Sequence, residues 1–383
     1  MISINLNKYM NSIYSKNKKF HLDFLRFIII VSALCLSKAE AQTESNFKFS
    51  GYADTYYAYD NDNNGSILRQ FSVISPVRDQ FRINLAQVTG KYTNKNIRGM
   101  ITLQFGDIPN YNWPQSPNQY MQYVQEANVG FSPAKNLWVD GGYFLTHIGA
   151  EGLLPINNYL NTQALATYYE PIYQSGIKVS YDFSDKVYGS LYLLNGYNVL
   201  ADNNLNKSGG LQLGIKPVSN LELIYNNIFG NEQPQGSPGK TRFYNNFVVK
   251  YAPVKKLDLL LGVDFASQEK SDISDSSASA SLLSGLLAVR YNFITKFFVS
   301  ARGEYYEDNN GILSGIYTNT DGELIGLKAA GIAFALEANP TDNSYIRADV
   351  RFLKTGNSLS IFTHDKTPSD ERTELTLGAG IEF

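Results

Sequence analysis

From residue 47 to the C-terminus, apolar and polar side chains alternate along the sequence with a period of two. In one such segment, Phe297, Val299 and Ala301 alternate with Ser300 and Arg302. The same pattern occurs in four other segments: 47–59, 97–105, 257–265 and 371–383. Because successive side chains of a β-strand point to opposite faces, the pattern predicts an all-β fold whose strands have one apolar and one polar face.

The connections between the predicted strands alternate in length. Seven are short turns, at 93–96, 133–136, 183–186, 217–220, 252–256, 293–296 and 339–342. Eight are long polar segments, at 61–80, 108–122, 147–171, 198–207, 231–240, 268–283, 308–323 and 354–370. We therefore predict a transmembrane antiparallel up-and-down β-barrel of about 16 strands, with about 14 or 18 as alternatives, short periplasmic turns and long extracellular loops.

A soluble β-sandwich or propeller would also use alternating strands, but three features disfavour it. No blade-length repeat occurs, and the predicted strands run to about 9–13 residues where soluble strands average ~5–6. Aromatic residues mark one strand end at Tyr92, Phe131, Tyr181, Tyr251, Tyr291 and Phe383, and the other at Tyr59, Phe105, Tyr143, Phe229, Phe265 and Tyr305. Two aromatic rows around an apolar band of ~25 Å suit a lipid bilayer. Within this pattern, 81–92 changes phase partway, which predicts a β-bulge.

Residues 1–41 have the features of an export signal that is removed by cleavage. Basic residues precede the apolar run Phe27–Leu36, which is too short to cross a bilayer as a helix. Ala39 and Ala41 supply the small residues that a signal peptidase reads. We predict a signal peptide at 1–41 and a single barrel domain at 42–383.

Composition and motifs exclude most chemistry from the predicted barrel domain. The single cysteine, Cys35, lies in the predicted signal peptide, which excludes disulfides, thiolate catalysis and cysteine-ligated metals. The net charge of −2 argues against a nucleic-acid partner, which needs a basic face. His147 and His364 are the only histidines after the signal, and no nucleophile elbow, HExxH or phosphate-binding loop occurs. We predict no catalytic residue, metal or cofactor. The short segment before the first strand also leaves no room for the plug of an energised transporter.

If the apolar faces point outward, charged side chains face the interior. The basic set is Arg82, Arg98, Lys178, Arg242, Lys250, Arg290, Arg302, Arg347 and Arg351. The acidic set is Glu126, Asp140, Glu222, Asp258, Asp264, Glu304, Asp349 and Glu374. Opposed charges across a constriction orient and select polar solutes. The alternative for any one residue is that it only pairs with a neighbour on a polar wall. Sixteen strands leave room for a hydrated interior.

The third long loop, 147–171 (loop 3), is the longest and is rich in apolar residues. These are Ile148, Leu153, Leu154, Pro155, Ile156, Leu160, Ala164 and Leu165. Packing on the inner wall would remove their area from water, so we predict that loop 3 folds into the barrel and narrows it. Glu151 and Glu170 would then face arginines of the opposite wall. The alternative is an ordered external loop.

Several short motifs resemble those of the OmpL-like β-barrel porin family. They are Glu126-Ala127-Asn128-Val129, Gly141-Gly142-Tyr143-Phe144, Thr146-His147-Ile148-Gly149-Ala150-Glu151, Pro171-Ile172-Tyr173-Gln174-Ser175-Gly176, Asn195-Gly196-Tyr197 and Arg302-Gly303-Glu304-Tyr305-Tyr306-Glu307-Asp308. The chain departs from the family at Gln174-Ser175, where members often have histidine before the glycine. It ends on Phe383, the C-terminal aromatic typical of outer-membrane proteins, which the resemblance implies is read by the barrel-assembly machinery. The resemblance covers most of 42–383 and implies a porin in the outer membrane of Gram-negative bacteria.

The predicted function is passive diffusion of small hydrophilic solutes and ions through a water-filled, charge-lined barrel. The predicted partners are outer-membrane lipid, the assembly machinery and small polar solutes, with a monomer or a homotrimer as the oligomeric state. The alternative is a non-conducting barrel whose long loops serve surface binding or adhesion.

Overall fold

The alternating segments form long antiparallel strands that close into one barrel. The computed structural model describes residues 46–113, 119–202 and 204–383. The predicted signal peptide and the first four residues of the predicted barrel domain lie outside the described residues. Among the described residues, sixteen strands each pair with their chain neighbours, and the last pairs with the first. The prediction of sixteen strands is confirmed.

The barrel strands are β1 (Phe47–Asp60), β2 (Phe81–Thr93), β3 (Ile97–Phe105), β4 (Val124–Ala134), β5 (Leu137–Leu145), β6 (Tyr173–Ser184), β7 (Val187–Leu194), β8 (Ser208–Val218), β9 (Leu221–Asn231), β10 (Thr241–Val254), β11 (Leu257–Gln268), β12 (Ala280–Ile294), β13 (Phe297–Glu307), β16 (Lys328–Ala338), β17 (Ser344–Thr355) and β20 (Glu371–Glu382). Two small hairpins lie in the loops: β14 (Tyr317–Thr318) with β15 (Leu324–Ile325), and β18 (Phe362–His364) with β19 (Thr367–Ser369).

The period of two separates the two faces of the barrel wall. Leu287 and Phe334 are 53% and 46% exposed on the outer face, whereas Arg302 and Asp264 are 1% exposed on the inner face. An apolar surface that runs around the whole barrel would be unstable against water. It suits a wall that contacts lipid.

The turns and the bulge follow the sequence pattern closely. Asn136 and Lys296 adopt left-handed backbone conformations in two of the short turns, with φ of 64° and 67°. The pairing of β1 with β2 shifts register at Asn84, whose side chain donates to Asp54 Oδ2 at 2.8 Å. This is the bulge that the phase change in 81–92 predicts. The predicted loop 268–283 is shorter in the structure, because β12 begins at 280.

In the described part of the chain, helices are few and short. They are Asp107–Asn112 and Leu165–Tyr169, with 3₁₀ turns at Gln119–Tyr123 and Pro155–Asn157. No helix in the described ranges has the length and apolar character needed to cross a membrane.

Loops fill the barrel interior at the end where the long loops lie (the loop end). One buried apolar cluster there joins strand residues from β5 to β17 with Phe71 of the first long loop (loop 1, 61–80), Ile148 and Leu165 of loop 3, and Leu359. Loop 1, like loop 3, lies inside the barrel. The inward position of loop 1 was not predicted from the sequence.

The interior is more open at the end where the short turns lie (the turn end). The side chains of Lys216 and Lys250 are 50% and 54% exposed there. The strands thus surround a filled loop end and a more open turn end.

Candidate functional site

Eight charged side chains form a continuous ladder of ion pairs inside the barrel. In order they are Arg78, Asp60, Arg69, Glu374, Arg351, Glu304, Arg302 and Glu151, each paired with the next. The N···O distances are 2.7 Å for Arg351–Glu304 and 2.8 Å for Arg302–Glu151. Apart from Arg78, the side chains are at most 2% exposed. A buried charge without its partner costs about 3–5 kcal/mol, so each member depends on the next.

The ladder brings together five residues that were predicted from the sequence: Arg302, Arg351, Glu304, Glu374 and Glu151. It also contains three that were not predicted, Arg69 and Arg78 from loop 1 and Asp60 at the end of β1. Arg372 joins as a branch through Glu374.

Hydrogen bonds anchor loop 3 to the wall formed by β17 and its neighbours. Thr162 donates to Asp349 Oδ2 from its backbone N–H at 3.0 Å and from its hydroxyl at 2.9 Å. Arg347 donates to the carbonyl of Pro155 at 3.0 Å. The predicted lumenal residues Asp349 and Arg347 therefore contact the loop.

An apolar patch on the inner face of β10–β12 receives the other side of loop 3. Val248, Leu260 and Leu286 pack there against loop residues. Gly262 permits the close approach, because a Cβ atom built on it would lie 2.7 Å from the Cβ of Ala150. Loop 3 thus contacts both walls of the barrel.

His147 of loop 3 is held by both ring nitrogens. Nδ1 lies 3.0 Å from Gln174 Oε1, Nε2 lies 3.0 Å from the Asn227 carbonyl, and the ring stacks on Tyr192. Burial lowers the pKa of His147 below its ordinary value. The ring therefore has a structural role. Among the described residues, no three or more His, Cys, Asp or Glu side chains are grouped as a metal site.

Glu170 corrects one expectation, since it faces no arginine. It is buried and hydrogen-bonded to Asp264 of β11. Burial and the negative charge of Asp264 raise the pKa of Glu170 well above its ordinary value. The neutral form of Glu170 is thereby favoured. The arginines of the ladder already have carboxylate partners, which leaves Glu170 to pair within the wall beside it.

A belt of amide side chains crosses the inner wall from β8 to β11. Gln212 donates to Asn226 at 2.9 Å, and Asn226 donates to Asn246 at 2.8 Å. Asn246 in turn donates to Asp264 at 2.7 Å. The belt is polar along its length, and its amide members carry no charge.

A cavity of about 590 Å³ lies between loop 3 and this wall. Its polar lining comes from Glu151, Gln163 and Glu170 of the loop, and from the Gln212–Asn226 part of the belt. It is the place where loop 3, the amide belt and one end of the ladder meet.

Other predicted residues form separate pairs nearer the turn end. Arg98 donates through Nε to Asp140 at 2.6 Å, and Lys178 and Glu126 line the same small cavity.

Arg290 and Arg347 share Glu337, a residue that the sequence analysis missed. Asp258 lies opposite Arg290 in the register of β11 and β12.

Two predicted residues secure loops instead of facing open lumen. Arg82 donates to both carboxylate oxygens of Asp107, at 2.6 and 2.7 Å. Arg242 donates to Gln268 at 2.9 Å and to the carbonyl of Ile312 at 3.0 Å.

Phe383 lies at the seam where the barrel closes. Its backbone N–H and carbonyl are hydrogen-bonded to Gly51 at 2.9 and 2.6 Å, and the residue is 71% exposed. An aromatic side chain is thus presented on the outer surface, which leaves its role as an assembly signal a prediction.

Solved outer-membrane proteins have the same fold. OmpT of Vibrio cholerae has a TM-score of 0.58 and 13% identity, covering 90% of this chain and 100% of its own. The anion-selective porin of Comamonas acidovorans has a TM-score of 0.58 and 12% identity, covering 88% and 99%. The outer membrane channel DcaP of Acinetobacter baumannii has a TM-score of 0.56 and 9% identity, covering 88% and 97%.

Comparison of the sequence with curated proteins finds no match. Residues 46–383 match the family model described as "Putative beta-barrel porin-2, OmpL-like". The match spans every strand of the barrel. The chain therefore belongs to the OmpL-like β-barrel porin-2 family and is a β-barrel protein of the bacterial outer membrane.

Proposed function

We propose that the protein is a passive channel through which small hydrophilic solutes and ions cross the outer membrane. The barrel interior supports this proposal. A wall of sixteen strands has charged side chains on its inner face. It encloses the cavity beneath loop 3, and lysine side chains are exposed at the turn end. Barrels of this size have space for an aqueous lumen. Two structural neighbours are described as an anion-selective porin and an outer membrane channel.

Loop 3 is the constriction in this proposal. It reaches the Asn227 carbonyl through His147 on one wall and Asp349 through Thr162 on another. Solutes would pass beside it, between the loop and the charged side chains of the wall. The predicted pore-lining residues belong to the same proposal. The pore-lining residues that form ion pairs, such as Arg98 with Asp140, set the local electric field in the pore. The side chain of Lys250 remains exposed to the solute.

A second candidate, a non-conducting barrel for surface binding, is favoured by the filled loop end. The buried cluster that joins loop 1 and loop 3 to strands β5 to β17 occupies that part of the interior. Conductance distinguishes the two functions.

The test is single-channel recording on refolded protein spanning 42–383, beside a variant that lacks 152–165. We expect stepwise conductance, with larger steps in the variant because the constriction is removed. A deletion of 271–278, in the long loop between β11 and β12, is the matched control and should leave the steps unchanged. A folded barrel that never conducts, with or without 152–165, supports the surface-binding function.

The proposal includes no catalysis, metal or cofactor. It includes export by the signal peptide 1–41, so that the exported protein begins at Gln42, and recognition of Phe383 by the assembly machinery. A monomer and a homotrimer remain the predicted oligomeric states; one solved form of Vibrio cholerae OmpT is described as a trimer.

A further inference from the structure

We propose that the cavity beneath loop 3 is a binding site for neutral, hydroxyl-rich solutes of sugar size. The inference rests on the proposed channel, because it names the class of solute that the constriction recognises. Three observations carry it: the size and lining of the cavity, the partners of the charged groups along it, and one buried acceptor that has no partner among the described residues.

The cavity has the size and the mixed lining of a small-molecule site. Its volume of about 590 Å³ lies within the roughly 300–1,000 Å³ of known ligand pockets. Gln212 and Asn226 provide amide groups on one wall, while Ile224 and Leu260 provide apolar surface beside them. Sugars present hydroxyl groups at their edges and C–H groups on their faces, and such a lining complements both.

The two acidic residues along the cavity are compensated, and Lys250 is half exposed beside its partner Glu222. Glu151 is paired with Arg302 at 2.8 Å, and burial beside Asp264 raises the pKa of Glu170, which favours its neutral form. Lys250 lies 3.8 Å from Glu222. A cation entering here would give up hydration without finding a free carboxylate, and an anion would find only Lys250, which is paired with Glu222. A neutral solute loses less hydration and exchanges it for amide hydrogen bonds.

Gln163 of loop 3 provides a buried acceptor that is ready for a ligand hydroxyl. The residue is 6% exposed and lines the cavity. Its Nε2 donates to the Gly152 carbonyl at 2.9 Å, while its Oε1 has no hydrogen-bond partner among the described residues. Buried acceptors are seldom left unsatisfied in native proteins. A solute hydroxyl donating to Oε1 would satisfy it.

Isothermal titration calorimetry on the folded, detergent-solubilised chain 42–383 tests the inference. The probes are glucose, its anionic analogue glucuronate and its cationic analogue glucosamine, which share the pyranose ring. We expect glucose to bind at least about tenfold more tightly than glucosamine, since the cavity has no free carboxylate, and more tightly than glucuronate, since Lys250 is paired with Glu222. Q163L should weaken glucose binding about fivefold, the effect of one hydrogen bond.

Two further variants distinguish loss of the binding site from misfolding of the protein. Ile224→Trp fills the cavity and should abolish glucose binding without removing any polar group. Gln87→Leu is the matched control, because Gln87 accepts a hydrogen bond from Gln125 elsewhere on the inner wall and does not line the cavity. It should bind glucose as the unmodified protein does. Heat-modifiable migration on gels confirms that each variant is folded.

The outcomes separate this inference from the channel itself. Equal affinity for glucose and glucuronate overturns the class of solute, and equal losses of affinity in Q163L and Gln87→Leu overturn the location of the site. A protein that conducts ions but binds no glucose overturns the inference and leaves the channel intact. A protein that binds glucose but never conducts supports the site and refutes the channel.

Discussion

Gly262 is the position at which one added side chain tests the docking of loop 3. A Cβ atom there would lie 2.7 Å from the Cβ of Ala150, whereas carbon atoms in contact prefer about 3.5–4.0 Å. Gly262→Val adds this atom and two methyl groups. The matched control is Gly303→Val on β13, where a built Cβ meets nothing within 4 Å. Valine favours strands at both positions, so only the inward substitution should disturb the loop.

The free-energy cost of Gly262→Val follows from the overlap between the added side chain and Ala150. Forcing extra methyl groups into a packed interface costs about 1–3 kcal/mol. Here the strain falls on the docked loop and is relieved when loop 3 leaves the wall. A bias of about 1–3 kcal/mol shifts a two-state equilibrium about 5- to 150-fold. The undocked fraction of loop 3 in Gly262→Val should rise by that factor.

The assay measures the undocked fraction through a buried thiol. The chain from Gln42 onward contains no cysteine, and Ala164 of loop 3 is 0% exposed. In the Ala164→Cys background, the rate of labelling by a water-soluble thiol reagent reports local opening of the loop. Gly262→Val should label about 5- to 150-fold faster, and Gly303→Val within about twofold of the background. Equal rates in all three proteins would refute the docking of loop 3.

Three further predictions concern the wall and its orientation. Leu261→Arg, on the outer face of β11, should destabilise the inserted barrel by about 2–4 kcal/mol, measured by urea unfolding in lipid vesicles. Lys250→Glu should leave that stability nearly unchanged, because its side chain is 54% exposed, and should shift ion selectivity towards cations in bilayer recordings. Ser276→Cys should react with an impermeant thiol reagent on whole cells and Asp185→Cys should not; the reverse would invert the assigned orientation.

The barrel was predictable because its signals are local. The alternation in each segment sets both the strand and its two faces, and the turns separate strands whose partners are their chain neighbours. Even the bulge at Asn84 appears in the sequence as a phase change. No long-range pairing had to be guessed except the closure of β20 on β1.

The interior was less predictable because its contacts are not local. Arg302 and Glu151 are 151 residues apart, and Arg69 and Glu374 are 305 apart. The pattern places Arg302 on the inner face correctly. It does not indicate that loop 3 covers the side chain completely, so that Arg302 is a buried ion-pair partner and not a water-facing charge.

Two further features of the sequence indicate that long loops pack on the inner wall. Leu259 to Leu261 are consecutive leucines, so the inner face of β11 is apolar where a hydrated wall would be polar. Loop 1 contains Phe71, Val73, Ile74 and Val77, all buried in the structure. Apolar residues on an inward face and in a long loop together indicate that the loop packs on that face.

The closing seam of the barrel explains why loop 1 lies in the lumen. Asp60 and Glu374 are register partners across β1 and β20, and like charges directly opposite each other destabilise a strand pair. Arg69 lies between them, with Nε 3.4 Å from Asp60 and a second nitrogen bonded to Glu374. Arg78 adds a bond to Asp60 at 2.8 Å. Loop 1 therefore supplies the cations that the closed seam requires, and must stay docked while the barrel is closed. Loop 3 joins the ladder at its far end, through Glu151, so in the proposed channel it is the loop that can be displaced while the seam remains compensated.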